Sequence, residues 1–203
     1  MKNTLLFASK SVPRRELLQK VQIPFSIIAQ DADESQCDWA LPFPQLLASI
    51  AVHKMNHVIL PEGKEDEHCY VLTVDTMLQT LEGTVLGKPS SKEAATKMIQ
   101  ASRDGGVVAS AFCLDKKIFK NDEWIVDQRI QKYVSAKYVL DFPDSWIEKY
   151  FEEYPEYLNI AGALIVEEYG MQFVKTIDGS YSTAIGLPLY ELREALESLN
   201  FFE

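Results

Sequence analysis

Leu5-Leu6-Phe7-Ala8-Ser9-Lys10-Ser11-Val12-Pro13-Arg14-Arg15-Glu16-Leu17-Leu18 changes character twice within one short run. The apolar residues Leu5 to Ala8 read as a short buried strand, the Ser-Pro cluster as a turn, and Glu16-Leu17-Leu18 as an opening helix. The turn gathers the hydroxyls of Ser9 and Ser11 and the guanidiniums of Arg14 and Arg15. Amides at a helix N-terminus, hydroxyl donors and Arg forks are what a phosphate group needs. The same residues also make an ordinary basic turn after an N-terminal strand.

Working outward, strands and helices interleave. Phe25 to Ala29 reads as a strand, followed by the acidic loop Gln30-Asp31-Ala32-Asp33-Glu34-Ser35. Pro42 and Pro44 introduce a helix to about Ile59, with Phe43, Leu46, Leu47, Ile50, Ala51 and Val58 on one face. Tyr70 to Val74 is β-branched and apolar, as a central strand should be, and ends at Asp75-Thr76. Met77 to Leu86 reads as a hairpin turning at Glu82-Gly83, and Gly87-Lys88-Pro89 as a turn. Ser90 with Glu93 forms a capping-box pattern before a helix carrying Ala94, Ala95, Met98 and Ile99. Val107 to Leu114 and Gln128 to Leu140 read as strands, and Asp144 as the cap of a helix that Pro155 ends. Leu164 to Val166 and Phe173 to Ile177 are strand-like, and a last helix carries Leu192, Ala195, Leu196 and Leu199. This order gives an α/β or α+β class with a mixed sheet and no clean domain linker.

With 203 residues and 47% hydrophobic content, the chain can bury a real core as one domain, with room for two lobes. The formal net charge of −10 argues against a nucleic-acid surface, which needs an extended basic face. A local cationic pocket for a small anion is compatible with it. Cys37, Cys69 and Cys113 are odd in number and far apart, as reduced cytosolic thiols are. The opening run of four apolar residues is too short for a leader or a membrane span, so a soluble, cytoplasmic protein is expected. The P-loop, the dinucleotide GxGxxG and the GxSxG elbow are all missing.

Several residues sit where a core has no use for them. Lys54 falls in the middle of its helix's apolar stripe. It either reaches past the helix end to water or meets an anion. Asp75, at the expected carboxyl end of the central strand, either holds Mg²⁺ or orients a water as general base, or simply caps the next turn. Lys88 lies between a Gly that lets a ligand approach and a Pro that fixes the turn. Asp33 and Glu34 offer a metal ligand or a solvated loop. His53 and His57, four apart, suit a metal, but no Glu lies beside them as in HExxH and no third ligand is evident.

The order of these pieces says more than each piece. Ala8-Ser9-Lys10-Ser11 with Arg14-Arg15, Asp33-Glu34, Ala51-Val52-His53-Lys54, Asp75-Thr76, Gly87-Lys88-Pro89, Ala161-Gly162 and Ile185-Gly186-Leu187-Pro188-Leu189 form a series. It resembles the Maf-like nucleotide pyrophosphatases over nearly the whole chain. The resemblance implies a single domain over residues 1–203. It implies an elongated α/β fold of the Maf and ITPase kind, a mixed sheet with flanking helices and two lobes around a central cleft, often as a homodimer. It implies hydrolysis of a nucleoside triphosphate to the monophosphate and diphosphate with a divalent metal, Mg²⁺ or Mn²⁺. Carried over by position, Ser9, Ser11, Arg14, Lys54 and Lys88 would bind phosphate, and Glu34 and Asp75 would serve the metal, with Asp75 as base. The family's historical name suggests a link to septation.

Two departures bear on the substrate. Pro13 replaces the first Arg of the usual Ser-Pro-Arg-Arg, and Glu167 stands where the family usually has Gln. Both resemble the subgroup acting on 7-methyl-GTP, and a carboxylate is a reasonable partner for a methylated, cationic guanine or its N–H edge. The branch acting on dTTP and UTP, which keeps the Gln, is the alternative. The segment Ala109-Ser110-Ala111-Phe112 also departs from the usual Thr-Gly pattern, leaving room for altered or weakened activity. A non-catalytic nucleotide-binding regulator and an interaction module with an aromatic surface complete the readings.

Overall fold

A computed structural model describes residues 3–203 of the chain. Met1 and Lys2, at the start of the segment read against a leader, lie outside the described residues. The elements run β1 (Leu5–Phe7), α1 (Val12–Lys20), β2 (Phe25–Ile27), α2 (Phe43–Asn56), β3 (His68–Thr80), β4 (Val85–Leu86), α3 (Lys92–Ser102), β5 (Gly106–Lys120), β6 (Glu123–Leu140), α4 (Ile147–Glu153), β7 (Val174–Asp178), α5 (Tyr181–Ile185) and α6 (Leu189–Ser198), with 3-10 turns between them. Among the described residues, seven strands form one mixed sheet in the order β2-β1-β3-β5-β6-β7, with β4 beside β3. β1 is parallel to both β2 and β3, while β3/β4 and β6/β7 are antiparallel. The expected mixed α/β class is what folds, and no helix among the described residues is long and apolar enough to cross a membrane.

The chain divides into two compact units, and β3, β5 and β6 each run from one into the other. The first unit comprises residues 1–75, 111–133 and 186–203. Its core rests on β1, where Leu5 and Phe7 are fully buried, and on the apolar face of α2. The chain end closes on β3: the Tyr70 hydroxyl donates to Leu199 O at 3.0 Å and its ring meets Phe201 edge-on at 5.1 Å. The second unit, residues 76–110 and 134–185, packs α3 and α4 around an aromatic centre in which Phe142 stacks on Phe173 at 3.8 Å.

Several expected boundaries move, each for a local reason. Helix α1 begins at Val12, not near Glu16, because the Ser11 hydroxyl caps it by accepting from Arg14 N and Pro13 sits in the first turn. There a missing N–H has no intrahelical partner to lose. Helix α2 stops at Asn56, since Val58 turns away to bridge Gln30. β3 continues past Asp75 to Thr80, because Leu78 and Gln79 pair with Leu86 and Val85 across the expected turn. β5 and β6 extend to Asn121 and Asp122, both at positive φ as a two-residue hairpin turn requires.

The cap of α3 is Ser91, not Ser90: its hydroxyl accepts from Ala94 N at 3.1 Å. Asp144 caps nothing, because Arg103 and Gln100 hold its carboxylate. Leu164 to Val166 is not a strand: Ile165 N donates to the Tyr150 hydroxyl at 3.0 Å instead of joining a ladder.

Candidate active site

Two parallel neighbours of unequal length make the site's floor. β1 ends at Phe7, opposite Leu72 of β3, and Ala8 N still donates to Leu72 O at 3.0 Å. Beyond that point β1 no longer supplies donors to β3. Arg14 takes over: its Nη1 donates to Val74 O at 3.1 Å and its Nε to Gly186 O at 2.8 Å. Gly186 has φ +123°, which favours glycine, so the turn that delivers this carbonyl depends on that residue. Ser9 Oγ accepts from Ser11 N at 3.3 Å and from Arg14 Nη1 at 3.4 Å. Burial pushes the Arg14 pKa down, opposed by the nearby carboxylates of Asp75 and Glu34.

Asp75 therefore lies beyond the carboxyl end of β1 but inside β3, not at that strand's end as expected. A mid-strand carboxylate that is only 7% exposed needs a cation. Lys54, on the buried stripe of α2 and only 8% exposed, supplies it. Its Nζ is 2.5 Å from Asp75 Oδ1 and 2.9 Å from Glu34 Oε1. The anomalous lysine thus meets anions rather than water. Thr73, two residues before Asp75, donates its hydroxyl to Ala51 O at 2.7 Å and so holds β3 against α2 one turn from Lys54.

Glu34 arrives on a 3-10 turn, Glu34–Gln36, capped by Asp33, whose carboxylate accepts from Ser35 N at 3.0 Å. That hydrogen bond and the Ser35 hydroxyl hold the Asp33 pKa below the usual carboxylate range. Trp39 Nε1 donates to Glu34 O at 3.2 Å, and His53 Nε2 lies 3.0 Å from Asp33 O. His57 Nδ1 lies 2.8 Å from His53 O. Carbonyls only accept, so each of these ring nitrogens carries a proton and neither points a lone pair at a metal. The sequence singled out His53 for a different purpose and missed Trp39; an indole five residues after an acidic loop residue has no distinctive signature.

The donor set suits a hard divalent cation. Asp75 Oδ2 is buried and finds no hydrogen-bond partner among the described residues. Glu34, with a side chain 43% exposed, stands across Lys54 from it. Mg²⁺ commonly binds through one or two carboxylates and completes its shell with water and phosphate oxygens. No group of three or more His, Cys, Asp or Glu side chains is arranged as a metal site among the described residues. The charges also favour a cation that arrives with the ligand: Arg14 and Lys54 are balanced by Glu34 and Asp75. A polyanion gains little from that sum unless a divalent ion comes with it.

The first unit thus brings together Ser9, Ser11, Arg14, Glu34, Lys54 and Asp75. Lys88 and Glu167 belong to the second. There, Gly162 N donates to Gly87 O at 2.9 Å, joining the Ala161-Gly162 and Gly87-Lys88-Pro89 segments. Gly162 has φ +67°, and a Cβ on it would come within 2.8 Å of Leu78. Lys88 is exposed; Glu167 is half-buried, and its charge raises the Tyr181 pKa further after burial. Ser110 Oγ lies 2.7 Å from Thr76 Oγ1 and donates to Thr183 O at 3.1 Å, so the divergent segment at 109–112 has its own hydrogen bonds.

The family model described as "Maf-like protein" matches residues 4–199. A relative from Caldicellulosiruptor bescii, named dTTP/UTP pyrophosphatase, is 31% identical over 97% of this chain and 95% of its own length. A protein of the same name from Colwellia psychrerythraea is 32% identical over 97% of this chain and 89% of its own. A nucleoside triphosphate pyrophosphatase from Prochlorococcus marinus is 28% identical over 95% of each chain.

Proposed function

The chain belongs to the Maf-like protein family, and on that premise we propose that it is a nucleoside triphosphate pyrophosphatase. Water cleaves the bond between the α- and β-phosphates, leaving nucleoside monophosphate and diphosphate. The observation that carries the proposal is the Lys54 ammonium held between Glu34 and Asp75 while Asp75 Oδ2 stays buried and unpaired. Phosphoryl transfer asks a protein for positioning and charge more than for covalent chemistry.

Asp75 is the base: Oδ2 is the acceptor for the proton of the attacking water, while Oδ1 is turned to Lys54. Lys54 holds that carboxylate in place and offers positive charge to a phosphate oxygen. Ser9, Ser11 and Arg14 form the phosphate-binding turn, with Arg14 also anchoring the backbone next to Asp75. Glu34 and Asp75 would hold Mg²⁺ or Mn²⁺, which would supply positive charge against the phosphates. Lys88 is the remaining phosphate contact and Glu167 the base-selecting residue.

For the base, Glu167 and the Pro13 substitution favour 7-methyl-GTP. The names of the relatives favour the second reading, dTTP and UTP. Diphosphate release from 7-methyl-GTP, GTP, dTTP and UTP with Mg²⁺ or Mn²⁺ tests both. Turnover of 7-methyl-GTP at least about tenfold above the others, a difference of about 1.4 kcal/mol in transition-state binding, is expected. Glu167→Gln should move the preference toward the pyrimidine nucleotides. Saturable nucleotide binding without turnover of any of the four would sink the enzyme reading in favour of a regulator.

A further inference from the structure

We propose that His53 is a positioning residue for Glu34, a role that rests on the pyrophosphatase reading of the site. Helix α2 touches the acidic loop at two consecutive residues. Lys54 meets the Glu34 side chain, Nζ to Oε1 at 2.9 Å, and His53 meets the backbone immediately before it, Nε2 to Asp33 O at 3.0 Å. The Asp33 side chain is occupied in the forward direction, accepting from the amide and hydroxyl of Ser35 at 3.0 and 2.7 Å. Its carbonyl accepts from Gln36 N inside the turn at 3.1 Å and from His53 Nε2 across to α2, so His53 ties the backbone of the turn to the helix beside the Lys54–Glu34 contact.

The tautomer follows from the partners. Asp33 O accepts, so His53 Nε2 carries the proton. The ring is steadied by His57, whose ring centre lies 4.3 Å away and whose Nδ1–H donates to His53 O at 2.8 Å. The residues after α2 hold the other end of the loop: Asp31 N donates to His57 O at 3.2 Å and Ile59 N to Ala29 O at 2.9 Å. Glu34 has a 43% exposed side chain on a short turn, so Lys54 alone would select among many rotamers. Fixing the backbone at Asp33 leaves the carboxylate only its own side-chain torsions to search. His53 touches no reacting atom; it acts through the turn.

The test pairs a measurement without substrate with one on turnover, on the full chain. In His53→Ala, hydrogen exchange of the Ser35, Gln36 and Cys37 amides should accelerate about three- to tenfold, as loss of one local hydrogen bond allows. The KM for the Mg²⁺–nucleotide complex should rise by a similar factor, with kcat within about twofold. His53→Gln, whose Nε2–H reaches the same carbonyl, should bring both values back toward wild type. Unchanged exchange at 35–37 in the alanine variant overturns the tie itself. Faster exchange with an unchanged KM overturns the positioning role. Failure of Gln to rescue either value overturns the hydrogen bond as the cause. A wild type without turnover removes the pyrophosphatase reading instead, while exchange still decides the tie.

Discussion

Lys54 and Asp75 face each other from a helix stripe and a strand interior, and each supplies the opposite charge the other meets there. The pair joins α2 to β3 at a contact of 2.5 Å between side chains that are about nine-tenths buried. One atom of that pair, Asp75 Oδ2, has no hydrogen-bond partner among the described residues. A buried acceptor kept unpaired costs stability and is a reason to look for a ligand or a proton there.

Asp75→Asn should lower kcat/KM at least about 100-fold, since the amide cannot take a proton from water. The fold should survive: the oxygen of the substituted amide can still accept from Lys54, and Glu34 still balances the ammonium. A urea midpoint equivalent to a loss of more than about 3 kcal/mol would mean the residue's role is structural.

Lys54→Met removes the cation that contacts both Asp75 and Glu34. Loss of about 3 kcal/mol is expected from the urea transition, because Asp75 is left as a buried charge without its partner. Added Mg²⁺ should raise the midpoint of this variant more than that of the wild type, by supplying the missing positive charge. Equal shifts would count against cation binding by Glu34 and Asp75.

Arg14→Lys is not conservative. The guanidinium serves Val74 O and Gly186 O at once, and an ammonium lacks that planar fork. One buried carbonyl should be left short of a donor, costing about 1–3 kcal/mol in thermal or urea unfolding. Because Val74 precedes Asp75, kcat should fall along with stability. A change in KM alone would assign Arg14 to phosphate binding only.

Alkaline pH should destabilise the protein through its thiols. Burial pushes Cys69 and Cys113 from an ordinary 9.0 up to about 12. A raised folded-state value means that the unfolded chain gives up these protons first. Their contribution is intact below pH 9 and is lost as pH rises toward 12. The urea midpoint should drop across that window, and a Cys113→Ala variant should flatten the drop. At pH 8, iodoacetamide should label Cys113 only on unfolding, because the residue is fully buried.

The site was partly legible because its residues violate local rules. Lys54 breaks an apolar stripe, and that stripe is read from 3.6-residue periodicity alone. Asp75 follows a β-branched run, and Ser9, Ser11 and Arg14 crowd one turn. Periodicity misplaces what depends on partners. Asp75 reads as a strand terminus because a charge normally ends such a run; Lys54, 21 residues away, allows the strand to continue through it.

What the amino-acid order determined by itself was the alternation of elements, the buried faces and the inventory of charged groups, since each follows from spacing within one element. Only the tertiary structure decided which charges meet. It brought Gly186 O to Arg14, 172 residues earlier in the chain, and closed Asp33 onto His53. Such contacts join separate elements and leave no period in the sequence. The short run from Leu5 to Leu18 illustrates both sides: its strand and helix were readable from composition, but its arginine's hold on β3 beside Asp75 depended on β1 stopping at Phe7.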